Sequence, residues 1–226
     1  MFLTGNLFQR YRVGGITVKL ILIDIDSDAG NAASDGTTLI LNSCSRVHYP
    51  DRFTGKERRI ELEGEGYFRV YHNEKQPFVV DTRHFDVRVL GTCFNIKSYS
   101  SDEVVSVDVE SGKVQVDLPE AMIRLRAKEQ VLINTVSGEY NKRREERTMA
   151  VWRKGNLRFN STPIHDVAKE LERMYNCRIT FAEGQNFDNL ISGEHDNKSL
   201  DAVLQAVEYT SGIHYKRMGN MIQLYK

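Results

Sequence analysis

The stretch Ile60-Glu61-Leu62-Glu63-Gly64-Glu65-Gly66-Tyr67-Phe68-Arg69-Val70 alternates with a period of two. Ile60, Leu62, Gly64, Gly66, Phe68 and Val70 fall on one side of an extended chain; Glu61, Glu63, Glu65 and Arg69 fall on the other, and Tyr71 continues that side. Successive side chains of a strand point to opposite faces, so the pattern predicts one face in a core and one in water. Outward from this stretch the same alternation returns in Phe85, Val87 and Val89 and in Val105, Val107 and Val109. After Glu110-Ser111-Gly112 the inward parity flips to Val114, Val116 and Leu118, which predicts a tight hairpin. Further strands are expected at Met122 to Ala127 and Gln130 to Asn134. Many short antiparallel strands at this spacing predict a mainly β protein, an antiparallel β-sandwich or rolled β-sheet.

Upstream, Ile16 to Ile25 is an apolar run of about ten residues interrupted by Lys19 and Asp24. A membrane-spanning helix needs roughly twenty, so the run reads as a strand. Met1 to Gly15 carries Arg10 and Arg12 but no small-residue cleavage pattern, and does not read as an export signal. Downstream, the alternation ends in the charged run Lys142 to Arg147, read as a linker whose two glutamates interrupt any basic nucleic-acid patch.

Beyond Trp152 the period changes. Thr162 is expected to cap a helix with Pro163 in its first turn, and Ile164, Val167, Ala168, Leu171, Met174 and Tyr175 form its apolar stripe. Ser199 is expected to cap a second helix bearing Leu200, Val203, Leu204 and Val207, with Gly212 past its end. Short strands are expected at Asn156 to Phe159, Arg178 to Phe181, Leu190 to Gly193, His214 to Arg217 and Met221 to Tyr225. The order is β-α-β-β-α-β-β, a small α+β domain whose two helices cover one face of a mixed sheet. The expected organisation is therefore a poorly matched segment 1–34, a β domain 35–147 and an α+β domain 148–226.

Of 226 residues, 40% are hydrophobic, enough for a core in one large or two modest domains. Thirty-one basic and thirty-one acidic residues leave a formal net charge of zero, so no long-range field draws the protein to nucleic acid or anionic lipid. Cys44, Cys93 and Cys177 are too few and too far apart for a disulfide scaffold or a zinc site. Each reads as a small apolar residue in a core or strand; a Cys44–Cys93 disulfide in an oxidising compartment is the alternative.

Asp24, Asp26, Asp28 and Asp35 mimic a calcium loop, but Ala29 and Asp35 stand where glycine and a bidentate glutamate belong, so the segment reads as a solvated turn. Glu61, Glu63 and Glu65 read as a solvent face, not as an acid and base pair. The histidines, His48, His72, His84, His165, His195 and His214, form no short-spaced ligand pair. Trp152 reads as a packing anchor. No nucleophile elbow, phosphate loop or dinucleotide fingerprint is present, so no catalytic, cofactor or metal residue is assigned and the chain reads as a non-enzymatic interaction module.

Ser34-Asp35-Gly36-Thr37, Leu41-Asn42-Ser43, Tyr49-Pro50, Gly64-Glu65-Gly66-Tyr67-Phe68, Pro77-Phe78-Val79-Val80, Leu90-Gly91-Thr92-Cys93-Phe94-Asn95 and Gly112-Lys113-Val114 occur in the order seen in FecR-type anti-sigma regulators. Trp152, Gly155, Leu157, Phe159, Pro163, Leu171-Glu172-Arg173, Tyr175-Asn176 and Phe181 look like the C-terminal domain of Bacteroidetes members, which is similar to the short N-terminal domain of secretins and TonB-dependent receptors. The resemblance spans Ser34 to Lys226. It implies the periplasmic sensor portion of an anti-sigma factor, normally tethered to the inner membrane, which contacts the signalling domain of an outer-membrane TonB-dependent transducer. Substrate arrival there, an iron chelate or a glycan, then alters an extracytoplasmic-function sigma factor. The sigma-binding helices and membrane anchor of the family find no counterpart before Ser34, so sigma binding is expected only through a cytoplasmic segment not found in this chain.

Partner binding is expected at an exposed sheet edge, by strand addition, with Tyr215, Met221, Ile222 and Leu224 of the last hairpin as the candidate residues. The opposing reading places these side chains in their own domain's core. Two rivals come from other classes. A carbohydrate-binding module requires an exposed aromatic platform, and a glycan-processing enzyme requires two carboxylates facing across a cleft.

Overall fold

The computed structural model describes residues 36–50, 53–144, 146, 148–196 and 199–226, and the backbone course of 7–13 and 16–24. Two compact units have Lys19–Ala150 and Val151–Lys226 as their bodies. The strands before Val151 are β1 (Leu7–Val13), β2 (Ile16–Asp24), β3 (Thr38–Leu41), β4 (Arg46–His48), β5 (Arg58–Arg69), β6 (Phe78–Asp81), β7 (Asp86–Val89), β8 (Cys93–Ser98), β9 (Val104–Ser111), β10 (Lys113–Asp117), β11 (Met122–Arg126), β12 (Glu129–Asn134) and β13 (Tyr140–Arg144), of which β3 to β13 lie wholly in the first unit. They form one curled sheet in the order β11-β10-β7-β6-β5-β8-β9-β12-β13, with β4 also on β5 and β3 linking β5 to β2 and β1.

β5, which holds the alternating run from Ile60 to Arg69, is the spine of this sheet. Its first half lies antiparallel to β4 and parallel to β6, up to Glu63 and Glu61 respectively. From Gly64 onward it pairs instead with β8, and from Gly66 with β3. Gly64 has φ +104°, and a Cβ there would stand 2.5 Å from Ser45 Oγ and 2.8 Å from Ser45 Cα. Only glycine permits that conformation and approach, so the sheet turns at this residue. The curl encloses a core in which Phe68 stacks on Phe94 at 4.9 Å and tilts against Phe78 at 6.4 Å. Ile60, Leu62, Val87, Val107 and Val116 complete it from both halves.

Two sequence expectations change here. The parity flip at Glu110-Ser111-Gly112 is not a hairpin: β9 pairs with β8 and β12, whereas β10 pairs with β7 and β11. The chain crosses between the two halves of the curled sheet at Gly112, φ +89°, and both strands still face one core. The charged run expected to be a linker begins inside β13, where Lys142, Arg143 and Arg144 pair with Val131, Gln130 and Glu129.

In the second unit, a 3₁₀ turn (Val151–Lys154) precedes β14 (Leu157–Pro163), α1 (Ile164–Tyr175), β15 (Arg178–Phe181), β16 (Leu190–His195), α2 (Leu200–Ser211), β17 (His214–Met218) and β18 (Met221–Tyr225). The expected element order holds, but the strands form two sheets, not one. β14 pairs with β16, and β15-β18-β17 forms a three-stranded sheet with β15 parallel to β18. Both apolar stripes face the core, with Met174 of α1 only partly buried: Ile164, Val167 and Leu171 of α1 meet Val203, Leu204 and Val207 of α2 in a core closed by Ile179, Ile222 and Leu224.

Ser199 caps α2 as expected, its Oγ accepting from the Ala202 N–H at 3.3 Å, and Gly212 ends it at φ +70°. Thr162 does not cap α1. The cap position is Pro163, which has no side-chain acceptor, and Thr162 Oγ1 accepts from the Asn160 N–H across an irregularity in β14. No helix among the described residues is long and apolar enough to cross a membrane.

Candidate interaction surface

Most candidate chemistry resolves into packing. The calcium-like segment lies outside the described residues beyond Asp24. Glu61 and Glu63 are exposed and stand across from His48 and Arg46 of β4. Trp152 is buried in its 3₁₀ turn. The histidines are dispersed: His165 packs 4.3 Å from Phe181, His214 lies 2.8 Å from Glu208, and burial together with Arg83 lowers the pKa of His84. No group of three or more His, Cys, Asp or Glu among the described residues is placed to hold a metal ion. All three cysteines are free, and Cys44, expected in a core or strand, is instead exposed in a turn at φ +58°.

Glu65 departs from the expected solvent face. It is 6% exposed and accepts from Asn42 Nδ2 at 2.7 Å and Asn95 Nδ2 at 3.0 Å. It belongs to a polar ladder on the side of the sheet away from the apolar core. Tyr67, Asn95, Asp108, Gln130 and Arg143 are successive cross-strand neighbours over β5, β8, β9, β12 and β13. Asp108 bonds Ser106 at 3.2 Å and accepts from Gln130 Nε2, while Gln130 Oε1 accepts from Arg143 Nε at 2.7 Å. Burial, with a smaller contribution from the Glu65 carboxylate, pushes the Asp108 carboxyl up to about 7. Every member is hydrogen-bonded within the fold, the mark of a specifying network.

Arg58 is a second polar residue that the sequence pattern does not expose. It is 1% exposed and donates to the Gln76 carbonyl at 2.9 Å and the Tyr71 carbonyl at 3.2 Å, with its guanidinium 5.4 Å from the Phe78 ring. It ties β5 to the loop before β6 from inside.

The last hairpin divides its candidate residues. Ile222 and Leu224 are core side chains, at 1% and 3% exposure, and Tyr215 packs against the same core. Met221 is 52% exposed on the opposite face. β18 is not an edge at all, because β15 and β17 occupy its two sides. Among the described residues β15 and β17 are the outer strands of this sheet, each with one unpaired side, so within the hairpin the edge chemistry moves from β18 to His214–Met218. Its turn has two residues, with Gly219 at φ +63° in the first central position of a II′-type geometry.

In such a hairpin Met218 and Met221 form the closing hydrogen-bonded pair, so the amides of Arg217 and Tyr215 point to the free side. The core face of β17 carries Tyr215 and Arg217, the latter held by Asp201 and by the Gly219 carbonyl at 3.0 Å. The outer face carries His214, Lys216 and Met218, all exposed.

Comparison with known proteins follows the same division of the chain. Residues 25–115 match the FecR protein domain, and residues 156–224 match the FecR C-terminal domain. A crystal structure of a candidate anti-sigma factor from Parabacteroides distasonis ATCC 8503 is 42% identical, with a TM-score of 0.85, covering 97% of this chain and 99% of that one. A second crystal structure so described, from the same organism, is 44% identical with a TM-score of 0.83, covering 91% and 98%. No curated protein matches.

Proposed function

The chain belongs to the FecR family, and from that premise we propose that it is the periplasmic sensor portion of an anti-sigma factor, relaying the state of an outer-membrane TonB-dependent transducer to an extracytoplasmic-function sigma factor. The observation that carries this reading is similarity over 97% of the chain to a candidate anti-sigma factor, in both units at once. In this role the α+β unit presents the docking edge, β17. Sigma-factor contact belongs to a cytoplasmic segment of the regulator, separate from these residues. The work is recognition without a chemical step.

Unpaired amides and carbonyls along β17 accept a strand from the transducer's signalling domain. Calorimetric titration of the chain with that domain tests the proposal, with Arg217→Pro as the probe. Proline at this position removes an outward amide and leaves the β17–β18 ladder bonded. The lost Arg217–Asp201 pair is exposed and contributes little to stability. Binding should weaken at least tenfold while circular dichroism and the melting temperature stay near those of the parent. Undiminished binding by the folded variant would remove β17 as the docking edge, and no binding by the parent would remove the transducer as partner.

A further inference from the structure

We propose that the free edge of β17 selects an acidic strand and that Lys216 makes the selection, a step that rests on β17 being the docking edge. β17 keeps an unbroken register with β18 from His214 to Met218 and contains neither a bulge nor a proline. Five residues give about 17 Å of pairable edge. On the outer face Lys216 stands opposite Gln223, which stands opposite Thr180 of β15. That row holds no carboxylate. The next row, Met218, Met221 and Arg178, adds a second exposed cation. Two carboxylates touch the strand, each paired with one of its other side chains, Asp201 with Arg217 and Glu208 with His214, and neither is paired with Lys216.

Lys216 is the central residue of the strand. A second copy pairing antiparallel about that centre would place Lys216 against Lys216, and like charges directly opposite destabilise a sheet. The same charge attracts aspartate or glutamate at the facing position, so one residue both repels self-association and favours an acidic partner. Two places along, Met218 and Met221 are 56% and 52% exposed and form an adaptable apolar patch. The strand that fits carries an acidic residue facing Lys216 and an apolar residue facing Met218.

The test uses the full chain, labelled with ¹⁵N, and two synthetic strands that differ only in a central Glu or Lys, each with Leu two positions away. The Glu strand should bind at least tenfold tighter and shift the amides of 214–218. Lys216→Glu should reverse the preference. Lys216→Val should abolish it and allow the chain to dimerise in light scattering. Equal binding of both strands, amide shifts confined to other elements, or a monomeric Lys216→Val variant that keeps the preference would overturn the proposal. Titration with the transducer's signalling domain separates the two layers. A chain that discriminates the strands but ignores that domain retains the edge chemistry and loses the transducer. A chain that binds the domain equally well with Lys216→Glu retains the transducer and loses the edge chemistry.

Discussion

Asp108 is a residue whose protonation is set by its neighbours. It sits beside Ser106 and Gln130 with Glu65 near enough to oppose its charge, and its carboxyl titrates at about 7 in place of the ordinary 3.8. The folded chain therefore retains a proton between pH 4 and pH 7 that the unfolded chain releases. With the folded value raised, the native state binds more protons than the unfolded one, so stability falls as pH rises through this window and the loss is complete above pH 7. The shift sets a ceiling of about 4 kcal/mol. Asp108→Asn reproduces the neutral acid, with its oxygen accepting from Gln130 and its amide donating to Ser106. Urea denaturation should show the variant stabilised by roughly 1 to 3 kcal/mol at pH 8 and little changed at pH 4. A parental stability curve flat from pH 4 to 8 would contradict the protonated carboxyl. The ladder was hidden from sequence reasoning because Glu65 and Asp108 lie at outward parity on their strands, and parity reports a face, not whether that face is covered. Asn95, Ser106 and Gln130, uncharged polar residues at cross-strand positions, were the signal available.

At the scale of the element, alternation located the strands well but not their pairing. β9 and β10 have the spacing of a hairpin and belong to opposite halves of the sheet. A tight turn and a crossing at a corner leave the same local trace, since both reverse the inward parity at a left-handed glycine. The bend in β5 was equally implicit, because Gly64 within an alternating run admits either a bulge or close packing. Its geometry makes a firm expectation: Gly64→Ala combines a positive φ with a Cβ 2.5 Å from Ser45 Oγ, and the same oxygen accepts the Glu65 amide at 2.8 Å. Loss of about 2 to 4 kcal/mol is expected, read as a lower urea midpoint at unchanged slope. A change below about 0.5 kcal/mol would show that the strand does not turn at this residue.

At the scale of the molecule, the second unit closes a core of its own from both helices and its two small sheets. A chain of residues 151–226 should therefore fold alone, with dispersed amide resonances and one cooperative denaturation transition; a collapsed spectrum without dispersion would refute this. The residues by themselves determined the strand-rich first part, both helices, the cap of α2, the β-α-β-β-α-β-β order and the family resemblance, because hydrophobic period and capping chemistry act over a few neighbouring residues. Tertiary structure alone decided that the parity flip crosses between sheet halves, that Glu65 and Asp108 are buried, and that β18 is a central strand with Ile222 and Leu224 in the core. Strand partners and solvent access depend on segments far away in the chain, and no local period records them. The unpaired side of β17, with Lys216 at its centre, emerges only once β15 and β17 have taken the two sides of β18.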